Sequence, residues 1–357
     1  MPLQGPDLYR LFDLMVEQNA SDLHVTVGRP PVLRIRGHLR NLTIPALTRE
    51  ETTALVREIC PPGKWDEFQR VWSADFGYAY GSKARFRVAI FRSKGQDSMV
   101  CRLIPTKLLS FAQIGLPERV VQLLDRPRGL VLVTGPTGSG KSTTLAALVD
   151  LANRTRHDHI MTVEDPIEFL HKHKSCLINQ REVGEDTWSF TNALKHVLRQ
   201  DPDIILVGEM RDLETISVAL TAAETGHLVF ATLHTQDAAQ TIDRIIDVFP
   251  PHQQQQVRSQ LAMALQGVVC QTLAKTADGH GRVVATEVLV VTPAVRNLIR
   301  EGKSHQIYSV MQAGAAHGMH TLDQHLADLV RTRRITYEVG LEKCHHIEDF
   351  NRLCGRA

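Results

Sequence analysis

The sequence predicts an α/β protein with two domains, of which the second is built around a phosphate-binding loop. Three observations lead to this prediction. The chain has 357 residues, more than one typical domain contains. From residue 129 onward, apolar segments of strand length alternate with amphipathic segments of helix length, the pattern of a parallel sheet covered by helices. A glycine-rich turn, GPTGSGKST, separates the first of these strands from its helix.

The first hundred residues predict a smaller α+β domain. Residues 6 to 19 have apolar side chains at helical spacing, and Ser21 to Val27 alternates as a strand does. A hairpin around Gly37 follows. Thr48 and Glu51 form a capping box for a second helix, which the residues Pro61 to Gly63 end. Two more strands, ARFRVAIF and SMVCRLI, complete the domain.

The strand ARFRVAIF presents arginines on one of its faces. Phe86 and Val88 fall on one face and Arg85 and Arg87 on the other, because side chains alternate along a strand. Arg102 lies on the next strand. Considered by themselves, these residues are most simply the surface arginines of a half-buried sheet.

Prolines mark the junction between the two domains. The segment from residue 104 to 129 contains three of them and a short amphipathic stretch, which is typical of a linker. We therefore predict an N-terminal domain over 1–105, a linker over 106–128 and an α/β core domain over 129–292. The last segment, 293–357, has only helical periodicity and predicts a helical C-terminal region.

The turn after the first core strand fits the phosphate-loop pattern G-x-x-x-x-G-K-[ST]. In this pattern, loop N–H groups and the start of a helix bind phosphates, the lysine reaches the β and γ groups, and the hydroxyl holds Mg²⁺. We expect ATP and Mg²⁺ as ligands. The predicted nucleotide-binding residues are Gly135, Pro136, Thr137, Gly138, Ser139, Gly140, Lys141, Ser142 and Thr143.

Three further strands of the core end in residues suited to hydrolysis. Glu164 is the expected base or water-orienting residue, and Asp165 beside it is the alternative. Glu209 follows a Walker B type of strand, so that Ser142 and Glu209 are expected to hold Mg²⁺, Glu209 through a water. His234 closes another strand, where we expect it to donate to the γ-phosphate and sense the nucleotide state. The simpler alternative for both glutamates is that they cap helices or strands.

The composition of the chain argues against several classes of function. Lys and Arg number 41 against 39 Asp and Glu, so no global basic field indicates nucleic-acid binding. Six cysteines lie far apart without a C-x-x-C pair, and no secretory leader opens the chain, so we expect a cytoplasmic protein. No apolar run is long enough to span a membrane. Cys344 with His345 and His346 lacks the second ligand pair that a zinc site needs.

Four segments together resemble the secretion ATPase superfamily: GPTGSGKST, TVEDPIEF, ILVGEMRD and GHLVFATLHT. Within it, SDLHVTVGRPPVLRIRG, TIDRIIDVFP and AVRNLIREG resemble the type IV pilus retraction ATPases of twitching motility. Val295 stands where these proteins usually have Ile, and Ala231 and Asp237 replace Gly and Ser near the histidine. The tetracysteine motif of the assembly and type II secretion ATPases is absent from the sequence.

This resemblance implies a PAS-like N-terminal domain, a RecA-like ATPase domain and a homohexameric ring. It also implies that Arg87 and Arg102 reach the nucleotide as arginine fingers, with Arg85 as the alternative. Glu164, Glu209, His234, Arg87 and Arg102 are thus the expected catalytic residues. The implied partner is an inner-membrane platform protein at the pilus base, where the chain would bind peripherally and act on the pilin fibre indirectly.

Three other functions stay open on the sequence. An assembly or secretion motor of the same superfamily is the nearest alternative. A RecA-like core also allows a nucleic-acid translocase, although the charge balance and the lack of interleaved aromatic and basic residues oppose it. A non-hydrolysing, nucleotide-switched accessory protein would require a failed active site, whereas each catalytic segment is occupied here.

Overall fold

A computed structural model describes residues 7–35, 37–81, 83–104 and 108–356. The chain divides into two compact units. The first comprises Met1–Lys107 with Pro166–Leu170, and the second comprises Leu108–Asp165 with His171–Ala357. The predicted helical C-terminal region falls in the second unit, as does the predicted linker from Leu108 onward.

The first unit is an antiparallel sheet with helices. Its described helices are α1 (Leu8–Glu17), α2 (Arg49–Ile59) and α3 (Pro62–Val71). Its strands are β1 (Asp22–Val25), β2 (Val32–Ile35), β3 (His38–Asn41), β4 (Ser73–Tyr80), β5 (Ala84–Ser93) and β6 (Gln96–Ile104). They lie in the order β3-β2-β1-β6-β5-β4, and every pairing is antiparallel.

The core of the first unit forms where α1 packs on the sheet. Phe12 of α1 stacks on Phe86 of β5 with 4.2 Å between ring centroids, and both side chains are fully buried. The capping box predicted for α2 is present. The prediction missed α3 and β4: Pro62 lies in the first turn of α3, where proline is tolerated because its missing N–H would have no helical partner.

The second unit alternates strands and helices. Its strands are β7 (Gly129–Thr134), β8 (His159–Glu164), β9 (Leu177–Glu182), β10 (Ile204–Val207), β11 (Leu228–Leu233), β12 (Leu265–Lys275) and β13 (Arg282–Val290). Its helices up to β12 are α4 (Phe111–Ile114), α5 (Glu118–Val121), α6 (Lys141–Thr155), α7 (Phe190–Val197), α8 (Leu213–Glu224), α9 (Ala238–Asp247) and α10 (Pro251–Ala264). The later helices are α11 (Pro293–Arg300), α12 (Ile307–Ala313), α13 (Leu322–Arg331), α14 (Tyr337–Lys343) and α15 (Ile347–Leu353). Short 3₁₀ turns occupy Gln122–Asp125, Ser304–Gln306 and Gly314–His317.

The strand order of the second unit is β13-β12-β7-β11-β10-β8-β9. All neighbours are parallel except β12 and β13. Strands β7, β10 and β11 are buried along their whole length, as strands covered on both faces are. Because parallel strands end at one edge of the sheet, the residues that follow β7, β8, β10 and β11 share that edge.

Two strands of this sheet differ from the prediction. The sequence periodicity by itself predicts a helix from Pro251 through residue 269, but α10 ends at Ala264 and β12 starts at once. Strand β9 was not predicted either. Both errors lie in segments where no cluster of glycine or proline residues separates neighbouring elements, so the local sequence does not mark where one element ends and the next begins.

Candidate active site

The phosphate loop connects β7 to α6. Gly135, Gly138 and Gly140 all have positive φ, at 139°, 81° and 91°, a backbone conformation that other residues rarely adopt. Gly140 is the N-cap of α6. The loop is therefore shaped so that its N–H groups and the first turn of α6 can bind an anion.

Lys141 lies at the start of α6 and is nearly buried. Its Nζ donates to the carbonyl oxygens of Gly135 at 2.8 Å and Pro136 at 3.2 Å. The ammonium is thus held over the loop at the position from which it can reach a bound phosphate. A phosphate would compete with these two carbonyls for the same donors.

The other residues of the loop differ in exposure. Pro136, Thr137 and Gly138 are exposed at its tip, whereas Ser139 is buried and Gly140 is half-buried. Ser142 and Thr143 are half-buried in the first turn of α6. The Ser142 hydroxyl is a hard oxygen donor, as is the Glu209 carboxylate, and such groups suit Mg²⁺.

Glu164 is the last residue of β8 and is half-buried. Its Oε1 accepts from the Thr162 hydroxyl at 2.6 Å and from the Gln180 amide at 3.2 Å. Two donors on one oxygen hold the carboxylate in a fixed orientation. Asp165 beside it is exposed. The charge of Asp165 raises the pKa of Arg211, but the hydrogen bond and the charge of Glu209 raise that pKa more.

Glu209 and His234 are in direct contact at the ends of β10 and β11. His234 Nε2 lies 2.9 Å from Glu209 Oε1, and Arg211 reaches both carboxylate oxygens at 2.7 Å. Burial raises the pKa of Glu209, but the hydrogen bond and charge of Arg211, followed by His234, outweigh it and lower the pKa below its usual value. Glu209 is therefore ionised at neutral pH.

The arrangement of Glu209 bears on how it would hold Mg²⁺. Since Arg211 already occupies both oxygens, a water-mediated contact would disturb this ion pair less than direct coordination. Among the described residues, no three His, Cys, Asp or Glu side chains cluster as an all-protein metal site would require. A usual Mg²⁺ site needs no such cluster, because one or two protein oxygens combine there with substrate phosphates and waters.

Arg87 and Arg102 are direct partners across β5 and β6, and both are exposed. They lie on the sheet face opposite Phe86 and Val88, which are fully buried. Arg85 is half-buried. In the first unit, therefore, two guanidinium groups stand side by side on the face that does not build the core.

The sequence analysis missed three contacts of the candidate residues. Asp22 accepts from Arg102, Thr162 donates to Glu164, and Gln271 bonds to the phosphate loop. Of these, only Thr162 carried a usable signal, because it lies two residues before Glu164 on the same strand and therefore faces the same side.

Ala231, Asp237 and Val295 differ from the family motifs, and each is compatible with its position in the structure. Ala231 and Val295 are fully buried. Asp237 is the N-cap of α9, where its Oδ1 accepts from the Gln240 N–H at 2.7 Å. Aspartate and serine are both preferred at this position, so the replacement preserves the cap.

Comparison with known proteins identifies the family. The model of the type II/IV secretion system protein family matches residues 10–346. The chain belongs to this family. The type IV pilus retractation ATPase PilT of Pseudomonas aeruginosa is 51% identical over 96% of this chain and 100% of its own length. A twitching motility protein of Neisseria gonorrhoeae is 49% identical over 90% of this chain and 86% of its own.

A solved structure supports the same relationship. The crystal structure of the pilus retraction motor PilT with bound ADP superposes with a TM-score of 0.91 and 45% identity, covering 97% of this chain and 99% of that one. The predicted resemblance to the type IV pilus retraction ATPases is thereby confirmed, as is the predicted fold class, an α/β chain with an N-terminal domain and a RecA-like P-loop domain. Among the described residues, no helix is long and apolar enough to cross a membrane.

Proposed function

We propose that this chain is an ATP-hydrolysing motor that powers type IV pilus retraction for twitching motility. The observation that carries the proposal is the meeting of a phosphate loop, a fixed Glu164 and the Glu209–His234 pair at one edge of a parallel sheet. The function of the relatives, a pilus retractation ATPase and a twitching motility protein, agrees with this site.

Each residue would have a distinct task in hydrolysis. The loop from Gly135 to Thr143 binds the phosphates through its N–H groups, and Lys141 turns from the loop carbonyls to the β and γ groups. Glu164 orients and deprotonates the attacking water. His234, bonded to Glu209, senses the γ-phosphate. Ser142 and Glu209 would hold Mg²⁺, which would supply positive charge against the charge of the phosphates.

The proposal extends to the first unit. Arg87 and Arg102 would neutralise charge on the phosphates during hydrolysis. We propose the division into a PAS-like domain over 1–105, a linker over 106–128, an ATPase core over 129–292 and a helical region over 293–357. Movement of the first domain against the core in a homohexameric ring would then convert each hydrolysis event into motion.

The function of the relatives supports a proposed place of action. The ring would lie in the cytoplasm against the inner membrane at the pilus base, bind the platform protein and so release pilin subunits from the fibre. DNA is not an expected partner. Stimulation of ATP hydrolysis by DNA would favour a translocase instead.

Phosphate release by the purified protein tests the enzymatic part. We expect the unaltered chain to hydrolyse ATP only with Mg²⁺, and Glu164→Gln to lower kcat by roughly a hundredfold or more, as loss of a general base does. Asp165→Asn is the matched control because it removes the exposed neighbouring carboxylate. If Asp165→Asn abolishes hydrolysis and Glu164→Gln does not, Asp165 is the base.

A cellular assay tests the mechanical part separately. In a strain that lacks its own retraction ATPase, the unaltered chain should restore twitching and pilus retraction, whereas Lys141→Ala should not. Restoration of pilus assembly in a strain without an assembly ATPase would identify the alternative motor. Light scattering of the purified chain with nucleotide should give the mass of six subunits.

A further inference from the structure

Gln271 is a polar residue buried beside the phosphate loop. It lies on β12, which runs parallel to β7, and Cys270 is the register partner of Thr134, the last residue of β7. Gln271 is therefore level with the first residue of the loop. Its neighbours in the buried part of β12 are apolar, from Val268 to Cys270, whereas Gln271 is only 3% exposed and carries an amide.

The Gln271 amide joins the loop to the first turn of α6. Its Nε2 donates to the carbonyl oxygen of Ser139 at 2.7 Å, and its Oε1 accepts from the Thr144 hydroxyl at 2.9 Å. Both contacts are buried. Because a carbonyl can only accept, the amide nitrogen must face Ser139, and this fixes which end of the amide faces Thr144.

The loop also packs closely on this residue. A Cβ on Gly135 would lie 2.2 Å from the Gln271 carbonyl oxygen, and one on Gly140 would lie 3.2 Å from Gln271 Nε2. Two glycines of the phosphate-loop pattern thus leave room for the backbone and the side chain of the same residue. Any side chain at Gly135 would displace the loop from β12.

The contact between Gln271 and the Ser139 carbonyl fixes the direction of the next backbone N–H, which can donate a hydrogen bond to a phosphate. In a trans peptide the C=O and the following N–H point in opposite directions. When the Ser139 carbonyl is turned toward Gln271, the Gly140 N–H is therefore turned away from it. In phosphate loops such N–H groups line the anion site.

We infer that Gln271 is a positioning residue that holds the phosphate loop in its nucleotide-binding shape by bridging Ser139 and Thr144. It acts through the loop and not on the substrate. The inference rests on the proposed function, because the loop must bind a nucleotide for its shape to matter. It adds a residue outside the phosphate-loop motif, on a strand more than a hundred residues further along the chain.

The test compares nucleotide binding and fold stability in the full-length protein. Gln271→Leu keeps the approximate size and removes both hydrogen bonds. We expect the Kd for a fluorescent ADP analogue and the KM for ATP to rise about tenfold, which corresponds to about 1.4 kcal/mol of binding free energy. Thr144→Val should raise both by a smaller factor, and Thr144→Ser should restore them.

Gln266→Leu is the matched control. Gln266 lies on the same strand and is half-buried, and its side chain makes no hydrogen bond within the described part of the chain. We expect its Kd and KM to equal those of the unaltered protein. The double variant Gln271→Leu with Thr144→Val should bind no more weakly than Gln271→Leu alone, because both changes break the same bridge.

The outcomes separate the inference from the proposed function. If the unaltered chain neither binds ADP nor hydrolyses ATP, the proposed function fails. If it does both, and folded Gln271→Leu shows a lower Tm with unchanged Kd and KM, Gln271 has only a structural role and the inference is overturned. Should Gln271→Leu not fold, Thr144→Val decides: an unchanged Kd in that variant overturns the inference, and a Kd raised over that of Thr144→Ser supports it.

Discussion

The Arg102 guanidinium donates through Nε to the Asp22 carboxylate at 2.8 Å, across the neighbouring strands β6 and β1. Asp22 is buried, whereas about two-thirds of the Arg102 side chain is exposed. Burial raises the pKa of Asp22, but the hydrogen bonds from Arg102 and Ser21 outweigh it and lower the pKa below its usual value. An ionised carboxylate in the sheet therefore orients an arginine that projects from it.

This relationship predicts different effects for the two partners. Arg102→Ala should lower kcat by about a thousandfold, the lower end of the effect of an arginine finger, with little change in ADP affinity. Asp22→Asn should lower kcat by a smaller factor, because the arginine remains but its orientation is no longer fixed by charge. Phosphate release and ADP titration measure both.

Arg34 provides the control for this pair. It approaches the other Asp22 oxygen, at 3.6 Å, and is not an expected catalytic residue, so Arg34→Ala should leave kcat unchanged. A wild-type kcat in Arg102→Ala would remove Arg102 from the catalytic residues and leave Arg87 or Arg85 as the finger.

The contact of Arg211 with Glu209 predicts a shift in pH dependence. Glu209 has a lowered pKa because the hydrogen bonds and charges of Arg211 and His234 exceed the effect of burial. Without Arg211 the carboxylate keeps its proton to a higher pH. In Arg211→Ala the acid limb of the kcat profile should therefore move to higher pH, measured by phosphate release between about pH 5 and 8.

Arg211→Lys keeps a positive charge beside Glu209 and should return the acid limb toward its original position. An acid limb that is identical in all three proteins would mean that Glu209 does not titrate in the rate-limiting step. His234→Gln should also lower kcat. It should move the acid limb less than Arg211→Ala does, because His234 lowers the pKa of Glu209 less than Arg211 does.

The strands that carry the site could be predicted because their sequences are unambiguous. Strands β7, β8, β10 and β11 are short apolar runs, each followed by a glycine turn or a charged residue, and parallel strands end at one edge. The positions of Glu164, Glu209 and His234 at that edge follow from this pattern alone. Their hydrogen bonds do not, because the pattern gives the edge and not the side-chain directions.

The residues that support the site were harder to find. Strand β12 follows α10 without a turn, and its run of apolar residues continues the helical pattern, so Gln271 was assigned to no strand. Asp22 and Arg102 are eighty residues apart in sequence. Their pairing depends on the order of strands in the sheet, which local periodicity does not determine. Long-range register is thus the information that the sequence lacks here.

The hydrogen bond from Thr162 predicts that this residue fixes the orientation of the Glu164 carboxylate. Its hydroxyl donates to Glu164 Oε1 at 2.6 Å, and the residue is buried. Thr162→Val keeps the shape of the side chain and removes this donor. We expect kcat to fall about tenfold, since one lost hydrogen bond to a charged group amounts to about 1.5 kcal/mol or more, with KM unchanged because neither residue binds the phosphates. Thr162→Ser should recover most of the rate.

The buried carboxylate of Glu287 predicts how stability changes with pH. Its Oε1 accepts from the Ala238 N–H at the start of α9, at 2.8 Å, and its Oε2 from the Leu322 N–H at the start of α13, at 3.4 Å. Burial raises its pKa to about 7; the bond from Ala238 opposes this and the charge of Asp237 adds to it. Nearby His320, whose pKa burial lowers to about 4, stays neutral over the relevant range.

The sign of the effect follows from proton binding. The folded chain holds the Glu287 proton up to about pH 7, whereas the unfolded chain releases it near the ordinary value of 4.5. Between these values the folded state binds more protons, so its stability falls as the pH rises. Glu287→Gln cannot ionise and lacks this loss. From pH 5 to pH 8, the free energy of unfolding of the unaltered protein should therefore fall by about 2 kcal/mol relative to the variant.

Urea unfolding of both proteins at several pH values, with the same denaturant slope, measures this difference. Glu301→Gln is the control, because Glu301 is exposed and its pKa lies below its usual value, so its charge is constant over the range. A difference between the unaltered protein and Glu287→Gln that does not change with pH would show that Glu287 is ionised throughout. In that case the two helix N-termini, and not a proton, would stabilise the buried carboxylate.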